Sequence, residues 1–286
     1  MEEPAEALYL DHRGFTALPD SIRAEARLRR LDVRANGLTG LPAWLTELTA
    51  LESLSIGENP LGGIPEPVTE MTQLRELYVH ALGLEAAPAA LGRLERLRTL
   101  DLGHNRLTRL PPELDRLAAL ETLYLADNRL AALPEAVRGM RALRYLGASD
   151  NRLGALPAWI GALGALVELR LQRNALTGLP ATIGHLRRLR ELHLEGNALT
   201  ELPDALGDLG ELRHLDLRDN ALGTIPPRLG RLPRLRVLDL RANRLAALPE
   251  TIDASPALEK LDLRWNRFLD PPQLFALRKR GCDILL

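Results

Sequence analysis

The stretch Leu97-Arg98-Thr99-Leu100-Asp101-Leu102-Gly103-His104-Asn105-Arg106-Leu107-Thr108-Arg109-Leu110-Pro111-Pro112-Glu113-Leu114-Asp115-Arg116-Leu117-Ala118-Ala119 decides the fold, because Leu120 begins the same pattern again. Its fixed points read L-x-x-L-x-L-x-x-N-x-L-x-x-L-P-x-x-L-x-x-L-x-x. Every asparagine of the 286-residue chain (Asn36, Asn59, Asn105, Asn128, Asn151, Asn174, Asn197, Asn220, Asn243, Asn266) lies on one register of period 23, and the one interior position skipped holds Leu82. Self-similarity at this period marks a solenoid of stacked units, in which function usually lies on one surface instead of in a catalytic cleft.

Each position has a physical task. Leu100 and Leu102 alternate with Thr99, Asp101 and Gly103, the period-2 pattern of a short strand with one buried face. Stacking the units makes a parallel sheet. Asn105 follows the strand, where its side chain can hydrogen-bond the backbone of a turn and tolerate unusual dihedrals. Repeated along the chain, such asparagines form a ladder that satisfies buried backbone groups. The Leu110-Pro111 pair fixes the return path, since proline sets its own φ and keeps the preceding residue extended. A short helix or irregular turn is expected after it, on the convex side.

This pattern resembles the leucine-rich repeat, specifically the 23-residue intracellular class of Ras-suppressor-type scaffolds and many bacterial proteins, over about twelve units. The resemblance implies an α/β solenoid: a horseshoe with a parallel β-sheet on the concave face and short helices or turns on the convex side. One domain is expected over 1–286, with a degenerate first repeat as N-terminal cap (1–22), regular repeats (23–269) and a C-terminal cap (270–286). Arg13 stands where the first ladder asparagine would be; at the other end Gln273 to Arg280 reads as a helix and Cys282 to Leu286 as a last strand. Repeat four departs twice, with Leu82 for asparagine and Ala87 for the leucine before Pro88, which reads either as tolerated drift or as a local bend.

Composition narrows the function classes. With 46% hydrophobic residues and only 3% aromatics, the chain can bury a long aliphatic core. Its 37 basic and 38 acidic residues nearly cancel, so no global field draws it to nucleic acid or anionic membrane. The acidic opening Met1-Glu2-Glu3-Pro4-Ala5-Glu6 does not read as a signal peptide, and no apolar run approaches the ~18 residues of a membrane span. Cys282 is the only cysteine, which excludes an internal disulfide and fits a reducing compartment. A cytoplasmic, monomeric protein is expected. The scarcity of lysine beside abundant arginine points to a GC-rich bacterial genome.

Counting back from the ladder position, the residues six, four, two and one before it should point out of the concave face. All four tyrosines (Tyr9, Tyr78, Tyr124, Tyr145) and five of the six histidines (His12, His80, His104, His193, His214) fall in these columns, whereas His185 does not. Rigid amphipathic rings dominate protein interfaces, although bulky residues also suit strands for their own sake. The columns are acidic and aromatic as far as Asn151 and charge-balanced beyond it. The candidate partner-binding residues are therefore Tyr78, His80, Asp101, His104, Tyr124, Asp127, Tyr145, Asp150, Arg170, Arg173, His193 and His214. The recurring Leu-Asp-Leu-Arg of the last units (Asp216/Arg218, Asp239/Arg241, Asp262/Arg264) reads as an exposed, self-neutralising lattice whose pairs are worth ~0–1 kcal/mol each.

Glu191 and His193 alternate on one strand and His214 and Asp216 on the next, a set acceptable to zinc if the units stack in register. Adjacent strands also offer this pairing for charge complementarity alone, so neither metal nor cofactor is expected. Cys282 lies beyond the last repeat, and no phosphate loop or paired-Cys zinc motif is present. Trp44 and Trp159 fall on the return path, Trp265 should face solvent, and convex arginines such as Arg187 and Arg188 read as a solvated face. The expectation is a non-catalytic protein-recognition module or scaffold, binding a partner of unknown identity through its concave face. The resemblance implies signalling partners such as small GTPases or phosphatases, by analogy of fold alone. The alternatives are a bacterial effector that binds host proteins and, remotely, a metal-dependent hydrolase built on the Glu191/His193/His214/Asp216 quartet.

Overall fold

The computed structural model describes residues 6–268 and 274–286; the acidic start and the Asp270-Pro271-Pro272-Gln273 entry to the C-terminal cap lie outside them. The chain divides into two compact units, Met1–Leu130 with Pro134–Leu143, and Ala131–Leu133 with Arg144–Leu286. Both are built from the same repeat.

In the first unit the strands are β1 (Ala7–Tyr9), β2 (Arg30–Asp32), β3 (Ser53–Ser55), β4 (Glu76–Tyr78), β5 (Thr99–Asp101) and β6 (Thr122–Tyr124). Neighbours pair in parallel and in sequence order, each residue opposite the one 23 later, as in Leu77↔Leu100. From β2 to β6 the central leucine and the apolar residue two further on are fully buried, as Leu100 and Leu102 are, whereas Leu8 of β1 is only partly covered. Flanking residues such as Thr99 and Asp101 stay half-exposed. After each Leu-Pro pair the chain makes one tight 3-10 turn starting just past the proline, for example Pro112–Arg116 after Pro111. Proline's fixed φ suits this start, and its missing N–H falls where no helical acceptor exists. The turn of repeat three, α1 (Glu66–Glu70), is α-helical instead.

The ladder asparagines work as the pattern predicts. Asn105 Nδ2 donates to the carbonyls of Leu102 and Gly103 in its own turn (3.0 Å each) and of Val79 in the preceding repeat (3.1 Å), while Oδ1 accepts from the N–H groups of Leu82 and Leu84. The Leu102 carbonyl takes a second hydrogen bond from Asn128. Most ladder carbonyls are thus served twice, which explains how a gap at Leu82 is tolerated. Val79 keeps the donor from Asn105, and the Leu61 N–H, which has no asparagine at 82 to reach, turns onto the Asn59 carbonyl at 2.9 Å. Strand register passes through repeat four unshifted, Ser53↔Glu76 and Glu76↔Thr99. The departures at Leu82 and Ala87, both buried, are absorbed within the local turn.

The second unit carries β7 (Tyr145–Gly147), β8 (Glu168–Arg170), β9 (Glu191–His193), β10 (His214–Asp216), β11 (Val237–Asp239), β12 (Lys260–Asp262) and β13 (Asp283–Leu285). They too pair in parallel and in order at the 23-residue offset. The expected last strand is β13, which joins β12 with Ile284 opposite Leu261. Helix α2 (Phe275–Lys279) precedes it and buries Leu277. Asp253 of the last regular repeat accepts the N–H groups of Ala276 and Leu277 at 3.1 and 3.0 Å, so the cap is tied to the array through a helix N-terminus.

Candidate functional site

Because the stacking offset equals the repeat, each sequence column becomes a physical row of side chains. The four expected columns do face away from the core, but one has a feature that periodicity did not reveal. The residue just before the ladder asparagine is left-handed: His12, Ala35, Glu58, Ala81, His104 and Asp127 in the first unit, and Asp150, Arg173, Asp219, Ala242 and Trp265 in the second, have φ between 50° and 61°. This turn brings the asparagine carboxamide back beneath the strand it caps. Only at Gly196 is the residue one that adopts this conformation freely (φ 66°).

In the first unit His80 lies between two carboxylates, that of the candidate Asp101 and that of Glu58. Its Nε2 lies 3.3 Å from Glu58 Oε1 and its Nδ1 3.4 Å from Asp101 Oδ2, the latter close enough for charge attraction but not aligned as a hydrogen bond. The Asp101 carboxylate lifts the imidazole above its ordinary pKa, burial opposes, and Glu58 adds to the rise. Room for the ring comes from Gly57, where a Cβ would fall 2.6 Å from His80 Cε1. Asp101 is partly structural, since its Oδ1 accepts the Gly103 N–H at 2.9 Å, fixing the start of the turn. His104 and Asp127 form a separate, exposed pair 3.0 Å apart. Tyr78 and Tyr124 are half-exposed, and burial followed by Glu76 pushes the Tyr78 phenol up.

Beside Tyr78 is a recess of about 310 Å³ that the sequence reading did not single out, with Tyr9, Arg30 and Arg34 on its rim and Ser53 and Ser55 in its floor. The signal was present: Ser53 and Ser55 are small residues set in their columns between Arg30 and Glu76 and between Asp32 and Tyr78. Ser53 Oγ donates to Glu76 at 2.8 Å, and Arg30 stands 3.8 Å from the same carboxylate.

In the second unit Tyr145 lies beneath the Arg170 guanidinium, 6.0 Å from its ring centre, and Gly147 leaves space for the ring. Arg170 pairs with Glu168 at 2.5 Å, and Arg173 clasps Asp150 through two hydrogen bonds of 2.5 and 2.7 Å. The metal-ligating quartet does stack as the register requires, Glu191 opposite His214 and His193 opposite Asp216. His193, expected as an exposed partner contact, is instead buried at 9% exposure, and desolvation followed by His193 holds the half-buried His214 below its ordinary pKa.

The acidic lattice also differs from expectation. Asp216 and Asp262 are buried, 5% and 1% exposed, because the arginine stems of neighbouring columns lie over them. Arg241 reaches Asp239 at 2.6 Å and Asp262 at 3.3 Å, Arg264 reaches Asp262 at 2.7 Å, and Arg218 holds Glu195 at 2.5 Å. Burial pushes Asp262 up, but Arg264 and Arg241 together hold it below the usual carboxylate range. Burial dominates at Asp216 and raises it. These are built-in ion pairs, not an exposed lattice of marginal ones.

Elsewhere Trp265 is 72% exposed with Arg264 over its ring at 5.5 Å, and burial pushes the Cys282 thiol up, the opposite of what a nucleophile needs. Arginines of the turns opposite the strands pair with acids of the adjoining turns, as in Arg23–Glu47 and Arg228–Asp208. Among the described residues no helix is long and apolar enough to cross a membrane.

In each unit, in-register parallel strands with an asparagine ladder and a polar strand face define a solenoid repeat protein. The chain is a leucine-rich repeat protein: it matches a leucine-rich repeat region over residues 140–218 and the leucine rich repeat family over 86–153 and 210–268. Among solved structures it is similar to a Leptospira interrogans LRR protein, at 27% identity and TM-score 0.66, covering 96% of this chain and 82% of that one. It is also similar to the LRR ectodomain of the Arabidopsis thaliana membrane receptor kinase GASSHO1/SCHENGEN3, solved in complex with CASPARIAN STRIP INTEGRITY FACTOR 2, at 28% identity and TM-score 0.77. That match covers 94% of this chain but 36% of the receptor's. An internalin from Listeria monocytogenes shares the fold at 20% identity and TM-score 0.80, covering 98% of this chain and 86% of that one. A comparison with curated proteins finds no match.

Proposed function

We propose that the chain is a non-catalytic recognition module that binds a protein partner on its strand face, with Tyr78, Tyr124 and the His80–Asp101–Glu58 cluster as the anchor region. The observation that carries this reading is the distribution of rings: in a chain with 3% aromatics, all four tyrosines occupy the exposed columns. Half-exposed rings backed by a rigid strand give contact area at small entropic cost. The carboxylates around them, with the recess beside Tyr78, fit a partner offering basic and apolar side chains. The solved complex of the plant ectodomain with its factor supports a binding role by likeness.

The test is capture of interacting proteins by the wild-type chain compared with a Tyr78→Ala/Tyr124→Ala variant, followed by titration of any partner recovered. Loss of each ring should weaken binding at least tenfold while leaving thermal unfolding within a few degrees of wild type. A partner that binds both chains equally would place the anchor elsewhere.

A further inference from the structure

The stacking of β9 on β10 gathers four ligating side chains into one cluster that the anchor region does not use. Glu191 and His214 face each other across the strands, as do His193 and Asp216, so nitrogen and oxygen donors alternate around a quadrilateral. The side chains lean inward. The two imidazole centres are 5.0 Å apart, and donor atoms of His193, His214 and Asp216 all lie within 4.8 Å of one another. Nε2 of His193 is also 3.2 Å from Glu191 Oε2.

We propose that His193, His214 and Asp216, with Glu191 as fourth ligand, bind one divalent transition cation of the zinc type. Two imidazole nitrogens and two carboxylate oxygens satisfy a tetrahedral ion, whereas magnesium and calcium take oxygen shells of six or more. In such a shell the donors sit about 3.4 Å apart, as bond lengths near 2.0–2.1 Å require. Closing from the present spacing needs side-chain rotation alone, because the strand backbones are already in register.

The electrostatics permit it. Asp216 uses Oδ1 to accept the Arg218 N–H at 3.2 Å, whereas Oδ2 faces Arg218 Nε at 3.3 Å without an aligned hydrogen bond. Arg218 already holds Glu195 at 2.5 Å and can leave Asp216 without being stranded. The cluster borders an open cleft of about 340 Å³, so an ion has a way in. Whether a protein partner binds the strand face is a separate matter, and the test does not depend on it.

Untagged full-length chain, freed of metal by dialysis against chelator, should be titrated with zinc by calorimetry at pH 7.5 and with cobalt(II) by visible absorption. One equivalent of zinc and the intense d–d bands of tetrahedral cobalt are expected. His193→Ala or His214→Ala should weaken binding by more than about 100-fold, beyond what loss of an outer-shell partner costs, and His185→Ala should leave it unchanged. His214→Gln, closer in size, guards against a variant that fails to fold, as judged by circular dichroism. No stoichiometric binding, or binding retained in both histidine variants, overturns the proposal.

Discussion

Replacing Asn105 by leucine should destabilise the chain far more than the same replacement at Asn243, although both occupy the same ladder position. The reason lies one repeat upstream. At Asn243 the side chain donates to the carbonyls of Leu217 and Leu240, which keep second donors in Asn220 and Asn266, so its loss strands chiefly the Leu222 N–H. At Asn105 the N–H groups of Leu82 and Leu84 both lose their acceptor. The Val79 carbonyl loses its donor as well, because Leu82 supplies none. That is three stranded groups against one. A buried unsatisfied backbone group costs about 1–3 kcal/mol, so Asn105→Leu should exceed Asn243→Leu by at least about 2 kcal/mol. Leucine is the right probe, since Leu82 shows that its side chain fits the position. Urea unfolding by far-UV circular dichroism would measure the difference, and amide exchange at Leu82 and Leu84 would locate it. Equal midpoints and slopes for the two variants would refute the redundancy argument.

Other outcomes follow from the left-handed column, the His80 cradle and the buried acids. Ala242→Gly should be stabilising or neutral, because relief of ~1–2 kcal/mol of left-handed strain offsets ~0.4–1 kcal/mol of added unfolded-chain entropy, whereas Gly196→Ala should destabilise; thermal melts decide both. Since the folded-state pKa of His80 is raised, its stabilisation is full below the ordinary histidine value near 6.5 and fades as pH rises through the raised one. The melting temperature of wild type should therefore exceed that of His80→Gln more at pH 5.5 than at pH 8.5. Gly57→Ala should displace the ring and return its titration, followed by NMR, toward the ordinary value. Arg241→Met should cost roughly 3 kcal/mol by stranding Asp239 and weakening the hold on Asp262, and adding Asp239→Asn should recover part of it in urea unfolding.

The leucines and asparagines made the architecture legible because every repeat imposes the same two demands, burial of Leu100-type side chains and satisfaction of the turn by Asn105-type carboxamides. The site was legible only as columns. What a column position does depends on residues of the neighbouring repeat: His80 sits where it does because Gly57, 23 residues earlier, is small, and Asp262 is held by Arg241 from the repeat before it. No local window contains those pairs. The left-handed column was hidden for a different reason, since its occupants, among them Ala35, His104, Asp127, Arg173 and Trp265, share no chemistry. Backbone hydrogen bonds impose that conformation against side-chain preference, as between the His104 N–H and the Ala126 carbonyl at 2.8 Å.

This separation bears on how function can change in such a chain. The core leucines and ladder asparagines fix position along the solenoid, and the double service of ladder carbonyls lets one rung, at Leu82, disappear without a register shift. Exposed columns are therefore free to vary in steps of 23, and a change at one position acts first on its two neighbours in the row. The row Asp216, Asp239 and Asp262 needs interleaved arginines because like charges are set one strand spacing apart, ~4.8 Å. Where His193 stands across from Asp216, the same spacing gives a ligand pair instead of a repulsion. One substitution in a row thus decides between an ion-pair lattice and a site.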